Sequence, residues 1–159
     1  NAECKTNGEL GGFWNTVQYL VSDGELIDGG DFFIRFLNHL KTDVADVCWT
    51  ERRPVLFLQK TRVFNLYRKE GRQTNDKVLP TDALRYYLQN STAYLGEKVA
   101  RFDVYKKGSP VYDTTKSAPN KQPTRVTSAQ RAYCFAYDRL VQIFAISLGD
   151  PYDDSEEPF

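Results

Sequence analysis

Apolar residues recur at Leu10, Phe13, Trp14, Val17, Leu20 and Val21, spaced by three and four, which predicts a helix over 9–22 with one buried stripe, ended at Gly24. The acidic DGELIDGGD that follows predicts a turn; its acids do not alternate as a calcium loop requires. DFFIRFL, 31–37, predicts a strand, although the run continuing through Lys41 fits a helix nearly as well. VLFLQ, 55–59, predicts a short apolar strand introduced by Pro54. Helical spacing returns over 61–72, with Val63, Leu66 and Tyr67 inward. After the turn EGRQTND, a third helix is expected over 81–91, with Thr81 as N-cap, Asp82 in the first turn, and Leu84, Tyr87 and Leu88 inward. VARFDVY, 99–105, and RAYCFAY, 131–137, are aromatic and β-branched and predict strands. A last helix is expected over 138–148 through Leu140, Val141, Phe144 and Leu148, stopped by Gly149 and Pro151.

Between the last two strands lies KKGSPVYDTTKSAPNKQPTR, 106–125, polar, basic and carrying three prolines. Helix, one or two strands, helix, turn, helix, strand, long loop, strand, helix is an α+β order of the winged-helix-like kind, and the 106–125 stretch is then its wing. The expected organisation is an N-terminal extension over 1–8, one domain over 9–148 and an acidic tail over 149–159.

Net charge is zero, but it is segregated along the chain: residues 1–51 carry −6, 52–131 carry +11 and 132–159 carry −5. The basic block makes a polyanion partner plausible, because local field rather than total charge attracts phosphate. The alternative is a fold in which the acidic and basic parts neutralise each other. In a winged helix the third helix enters the major groove. There Arg85 matches guanine, Gln89 or Asn90 matches adenine, and Tyr86 lies beside them. The same residue types are ordinary on any solvated or partner-facing helix. Arg62, Lys69, Arg72, Lys106 and Lys107, with Lys116, Lys121 and Arg125 along the wing, are the expected phosphate contacts, which need only charge near the duplex.

The remaining chemistry is sparse. Three cysteines, Cys4, Cys48 and Cys134, form no close pair and read as reduced thiols, two of them expected in the core, of a cytoplasmic protein. His39, the only histidine, is expected at the surface and cannot supply a two-histidine metal site. No phosphate-binding G-x-x-x-x-G-K-[ST] loop, nucleophile and base pair, or metal cluster is present, so no enzyme and no cofactor is expected. No apolar run reaches 18 residues, so no membrane partner is expected. The lack of methionine predicts an excised domain or a processed product, and Asn1 and Ala2, of the kind a cloning scar leaves, carry no structural weight.

GGFWNTVQYLVSDGELIDGGDFFI, RPVLFLQKTRVFNLYRKEGRQ, LPTDALRYYLQNSTAYLG and RAYCFAYDRL together resemble the C-terminal region of primase-helicase replication proteins of mobile elements and prophages of Bacteroides-type bacteria. The resemblance spans residue 9 to about 148. It implies that an ATPase motor precedes this segment in the parent protein, and that the segment is a non-catalytic module engaging duplex or forked DNA, or that motor and neighbouring subunits. Two alternatives remain at this stage: a protein-interaction winged helix without DNA binding, and a processed secreted protein with a β-rich ligand pocket. The tail PYDDSEEPF is either solvated or a competitor for the basic face.

Overall fold

The computed structural model of the chain describes residues 2–74, 77–105 and 125–151. Among the described residues four helices and four strands follow in the order α1 (Ala2–Ser22), β1 (Phe32–Lys41), β2 (Asp46–Gln59), α2 (Lys60–Thr74), α3 (Thr81–Gln89), β3 (Tyr94–Tyr105), β4 (Arg125–Ala136) and α4 (Tyr137–Phe144). The class is α+β. The strands form one antiparallel sheet in the order β1-β2-β4-β3.

Several elements run longer than periodicity suggests. The first helix begins at Ala2 rather than near Glu9, and Thr6 already lies buried on its inner side. The segment from Asn38 to Lys41 stays extended, because Leu40 pairs with Val47 and Lys41 with Asp46 across a hairpin. VLFLQ is the C-terminal end of the 14-residue β2, and Pro54 lies within that strand opposite Phe36. Among the described residues only Val55 to Leu58 have strands on both sides, β1 and β4, and these four are fully buried. A continuous apolar run is what two covered faces demand.

The sheet carries two cores. On its outer face α1, α2, α3 and α4 bury Phe32, Ile34, Leu56, Leu58, Tyr133 and Phe135 against Phe13, Trp14, Val63, Leu84 and Leu140. Trp14 meets Phe135 edge to face at 5.1 Å, and Phe13 meets Tyr67 at 5.1 Å. On its inner face Phe33, Leu37, Val55, Phe57, Ala100, Phe102 and Cys134 form a second cluster. Phe33 stacks on Phe57 at 4.7 Å and meets Phe102 at 5.1 Å.

Curling of the sheet brings the outer strands β1 and β3 together around this inner cluster. At one end the Thr42 hydroxyl donates to the Leu95 carbonyl at 2.7 Å, and the Glu97 N–H donates to the Asp43 carboxylate at 2.7 Å. At the other the Asp103 N–H donates to the Gly29 carbonyl at 2.8 Å. Gly96, at φ +121° on a β-bulge, permits the first of these approaches, because a Cβ there would overlap Thr42.

Two expected caps differ. Thr81 is not the N-cap of α3: Pro80 holds that position, its carbonyl accepts from the Leu84 N–H at 2.8 Å, and the Thr81 hydroxyl accepts from Arg68 at 3.2 Å instead. The last helix stops at Phe144 because Ala145 adopts a left-handed cap at φ 54°. Ile146 and Leu148 still reach the core, from an extended run pinned by Ser147 N–H to Gln18 Oε1 at 2.7 Å and Leu148 N–H to the Tyr137 hydroxyl at 2.9 Å. One cysteine is buried rather than the expected two: Cys134 lies in the inner core, where burial pushes its thiol up to about 12, whereas Cys4 and Cys48 are exposed. His39 is exposed and bonds Asp46 at 2.8 Å. No helix among the described residues is long and apolar enough to cross a membrane.

Candidate nucleic-acid interface

The two helices expected to meet DNA are joined by a turn with three fixed points. The side chain of Gln59 caps α2 by accepting the Arg62 N–H at 2.7 Å. Fifteen residues later α2 ends, and the chain doubles back with Val78 seated against Gly71, where any Cβ would overlap the Val78 Cγ2 methyl. Tyr67 then anchors the approach to α3: its hydroxyl accepts the buried Leu79 N–H at 2.8 Å. Arg68 completes the link through its contact to Thr81 and a second bond to Asn65 at 2.8 Å.

On this frame Lys69 and Arg72 lie one turn apart on the exposed side of α2, with no ion pair among the described residues. Arg85, Tyr86 and Gln89 share the exposed face of α3, and Tyr86 is 62% exposed with its ring edge-on to Tyr87 at 5.5 Å. Asn90 follows α3 and spends its amide on the Tyr86 carbonyl at 2.8 Å, so it is less available for adenine than expected. Arg62 stands apart, its Nε 3.3 Å from the Asp31 carboxylate. Lys106, Lys107, Lys116 and Lys121 lie outside the described residues, as does the 152–159 tail; Arg125 opens β4.

The basic block is partly neutralised by the acidic blocks flanking it in sequence. Arg62 pairs with Asp31, Lys77 with Glu9 at 3.7 Å, and Arg53 with Asp138 at 2.9 Å. The DGELIDGGD turn uses its acid the same way: Asp31 also accepts the Ile27 N–H at 2.8 Å. Burial raises the Asp31 pKa, and that bond and Arg62 only partly offset the rise.

A second cluster, not foreseen from sequence, forms where the start of α2 meets β3 and β4. Register sets Glu97 beside Tyr133 and Val99 beside Arg131 across the β3–β4 ladder, and Lys60 at the start of α2 reaches the same spot. Glu97 accepts from Lys60 at 2.6 Å and from both Nε and Nη2 of Arg131 at 3.0 and 2.7 Å. Burial disfavours the charged form of Glu97, but the hydrogen bonds and charges of those two cations win, and its pKa lies below the ordinary carboxylate value. Lys60 also sits over the Tyr133 ring at 5.4 Å. The only trace of this cluster in the sequence is a charge at each of three positions bordering apolar runs; the register that unites them is not visible there.

No protein-family model, curated protein or solved structure matches the chain. Function therefore rests on the geometry and on the resemblance of the four motifs.

Proposed function

We propose that this chain is a winged-helix-like, non-catalytic DNA-binding or assembly module of a primase-helicase replication protein working in the cytoplasm. The observation that carries the reading is strand order. Within the sheet, β2, which precedes the helix pair, lies against β4, the second strand of the β3–β4 hairpin, giving β2-β4-β3. A winged helix has that connectivity, with its two helices between the first strand and the hairpin, and α2 and α3 stand there. The β1 strand is then an addition that closes the sheet's inner face.

In this reading Lys69 and Arg72 contact phosphates, Arg85, Tyr86 and Gln89 face the groove, and the basic 106–125 segment follows the backbone. The protein-interaction alternative draws support from a different surface. Val99 and Val126 are 48% and 41% exposed on the β3–β4 hairpin, apolar area that a neighbouring subunit would cover. Binding of labelled duplex, forked and single-stranded DNA to the chain tests the proposal, and a subunit contact without DNA binding would favour the alternative.

A further inference from the structure

We propose that Tyr86, at the centre of the exposed face of α3, is a stacking platform for an unpaired nucleobase, so that the DNA this chain prefers is a fork or a single strand rather than closed duplex. This deepens the nucleic-acid reading, on which it rests, by naming the class of DNA.

The first ground is exposure. Tyr19 and Tyr86 are the two exposed aromatic residues among those described, at 50% and 62%. Tyr19 borders a cleft between α1 and α2 that also holds Glu70, a carboxylate that repels phosphate. Tyr86 has Arg85 beside it instead, and it stands on the side of α3 opposite the buried Leu84 and Leu88.

The second ground is a fixed ring. It meets Tyr87 edge-on at 5.5 Å, and Tyr87 packs against the outer core. The Tyr86 carbonyl accepts from the Asn90 N–H at 3.1 Å and from the Asn90 side-chain amide at 2.8 Å, which holds the backbone beneath the ring. A platform held in place before binding loses little freedom when a base docks on it.

The third ground is what surrounds the ring. Helical spacing puts Asp82 and Gln89 beside it, with Arg85 alongside, and all three are exposed. A protein partner covering Tyr86 would have to desolvate the exposed Asp82–Arg85 ion pair, at 3.7 Å. A nucleobase covers the ring alone and leaves Arg85 to meet the adjoining phosphate. Every base has a π-face, but in closed duplex its neighbours cover both faces, so a tyrosine can stack only on a base that is unpaired.

Affinities are measured at one salt concentration for labelled single-stranded DNA, a fork, the same fork with abasic single-stranded arms, and a circular duplex, which has no terminal base. The parent should bind the fork and the single strand more tightly, site for site, than the circular duplex. Tyr86→Ala should weaken the single strand and the fork roughly five- to a hundredfold, the weight of one stacked base, and leave the circular duplex within about twofold. On the abasic fork the same variant should lose no more than about twofold, because the base that Tyr86 stacks on is gone. Tyr86→Trp should keep the affinity for the fork, and Tyr19→Ala should change none of the four. Equal losses on the fork and the circular duplex, an undiminished loss on the abasic fork, fork and single-strand affinities within about twofold of the parent, or a parent that binds circular duplex as tightly as the fork each overturn the platform and keep the nucleic-acid reading. Failure of the parent to bind any DNA form removes both.

Discussion

Gly71 and Val78 lie so close that a Cβ at Gly71 would overlap the Val78 Cγ2 methyl, and this approach sets the turn between α2 and α3. Gly71→Ala should therefore destabilise by about 1–3 kcal/mol through overpacking, despite the better helix propensity of alanine. Gly12, in α1, has nothing within 4 Å of an added Cβ, so Gly12→Ala should stabilise by about 0.5–1 kcal/mol. Urea unfolding of the two variants reads both signs; two equal, stabilising effects would show that the α2–α3 turn is loose.

Two tyrosine hydroxyls make an opposite pair. Tyr67→Phe leaves the buried Leu79 N–H without its acceptor and should cost about 1–3 kcal/mol. Tyr133→Phe removes a buried hydroxyl that makes no well-formed hydrogen bond among the described residues, with only the exposed Arg85 guanidinium beside it, and should change stability by less than about 0.5 kcal/mol, or raise it. Thermal or urea unfolding in chloride, without phosphate, checks the comparison.

Trp14 and Phe102 are fully buried in the outer and inner cores respectively. Replacing either with Ala should cost about 3–5 kcal/mol. A loss below about 1 kcal/mol for Phe102→Ala alone would mean that the inner face of the curled sheet is not a load-sharing core.

The first helix was legible because its stripe obeys one period: Leu10, Phe13, Trp14, Val17 and Leu20 are all buried. The inward residues of α2 and the outward residues of α3 were legible for the same reason. The first half of β2 was not: Val47 and Trp49 alternate inward, but Thr50, Glu51 and Arg52 are all exposed and interrupt the alternation before the apolar run from Val55. Leu148 misled in the other direction. It extends the helical spacing of α4, but Ala145 breaks the helix and side-chain bonds from Gln18 and Tyr137 hold the run that follows. Of the candidate interface, exposure was predictable and partnership was not: Arg62 is exposed as expected yet bound to Asp31, 31 residues earlier in the sequence. The Lys60, Glu97 and Arg131 cluster depends on strand register, which a single sequence specifies only weakly for distant strands.

Acid should weaken the fold through Glu97. Its folded pKa lies below the unfolded value because Lys60 and Arg131 outweigh its burial. The stabilisation is complete above the unfolded value of about 4.3 and fades as pH falls through the lower folded one. Asp31 has the opposite sign: its pKa is raised, so its contribution disfavours the fold at neutral pH and is relieved on protonation. Stability measured from about pH 6 to 3 should fall less steeply in Glu97→Gln than in the parent. Parallel curves would show that the ion cluster contributes nothing at equilibrium.

The central claim, that this fold presents a phosphate-binding surface, is tested most directly by the affinity for labelled duplex, forked and single-stranded DNA across a salt series. With about five phosphates neutralised, log K should fall against log salt with a slope near −4.5, from roughly 0.9 per phosphate. Lys69→Ala with Arg72→Ala should flatten that slope by about two units and weaken all sequences alike. No binding of any DNA form at ~50 mM salt, where screening is weak, or a slope near zero, would contradict the account.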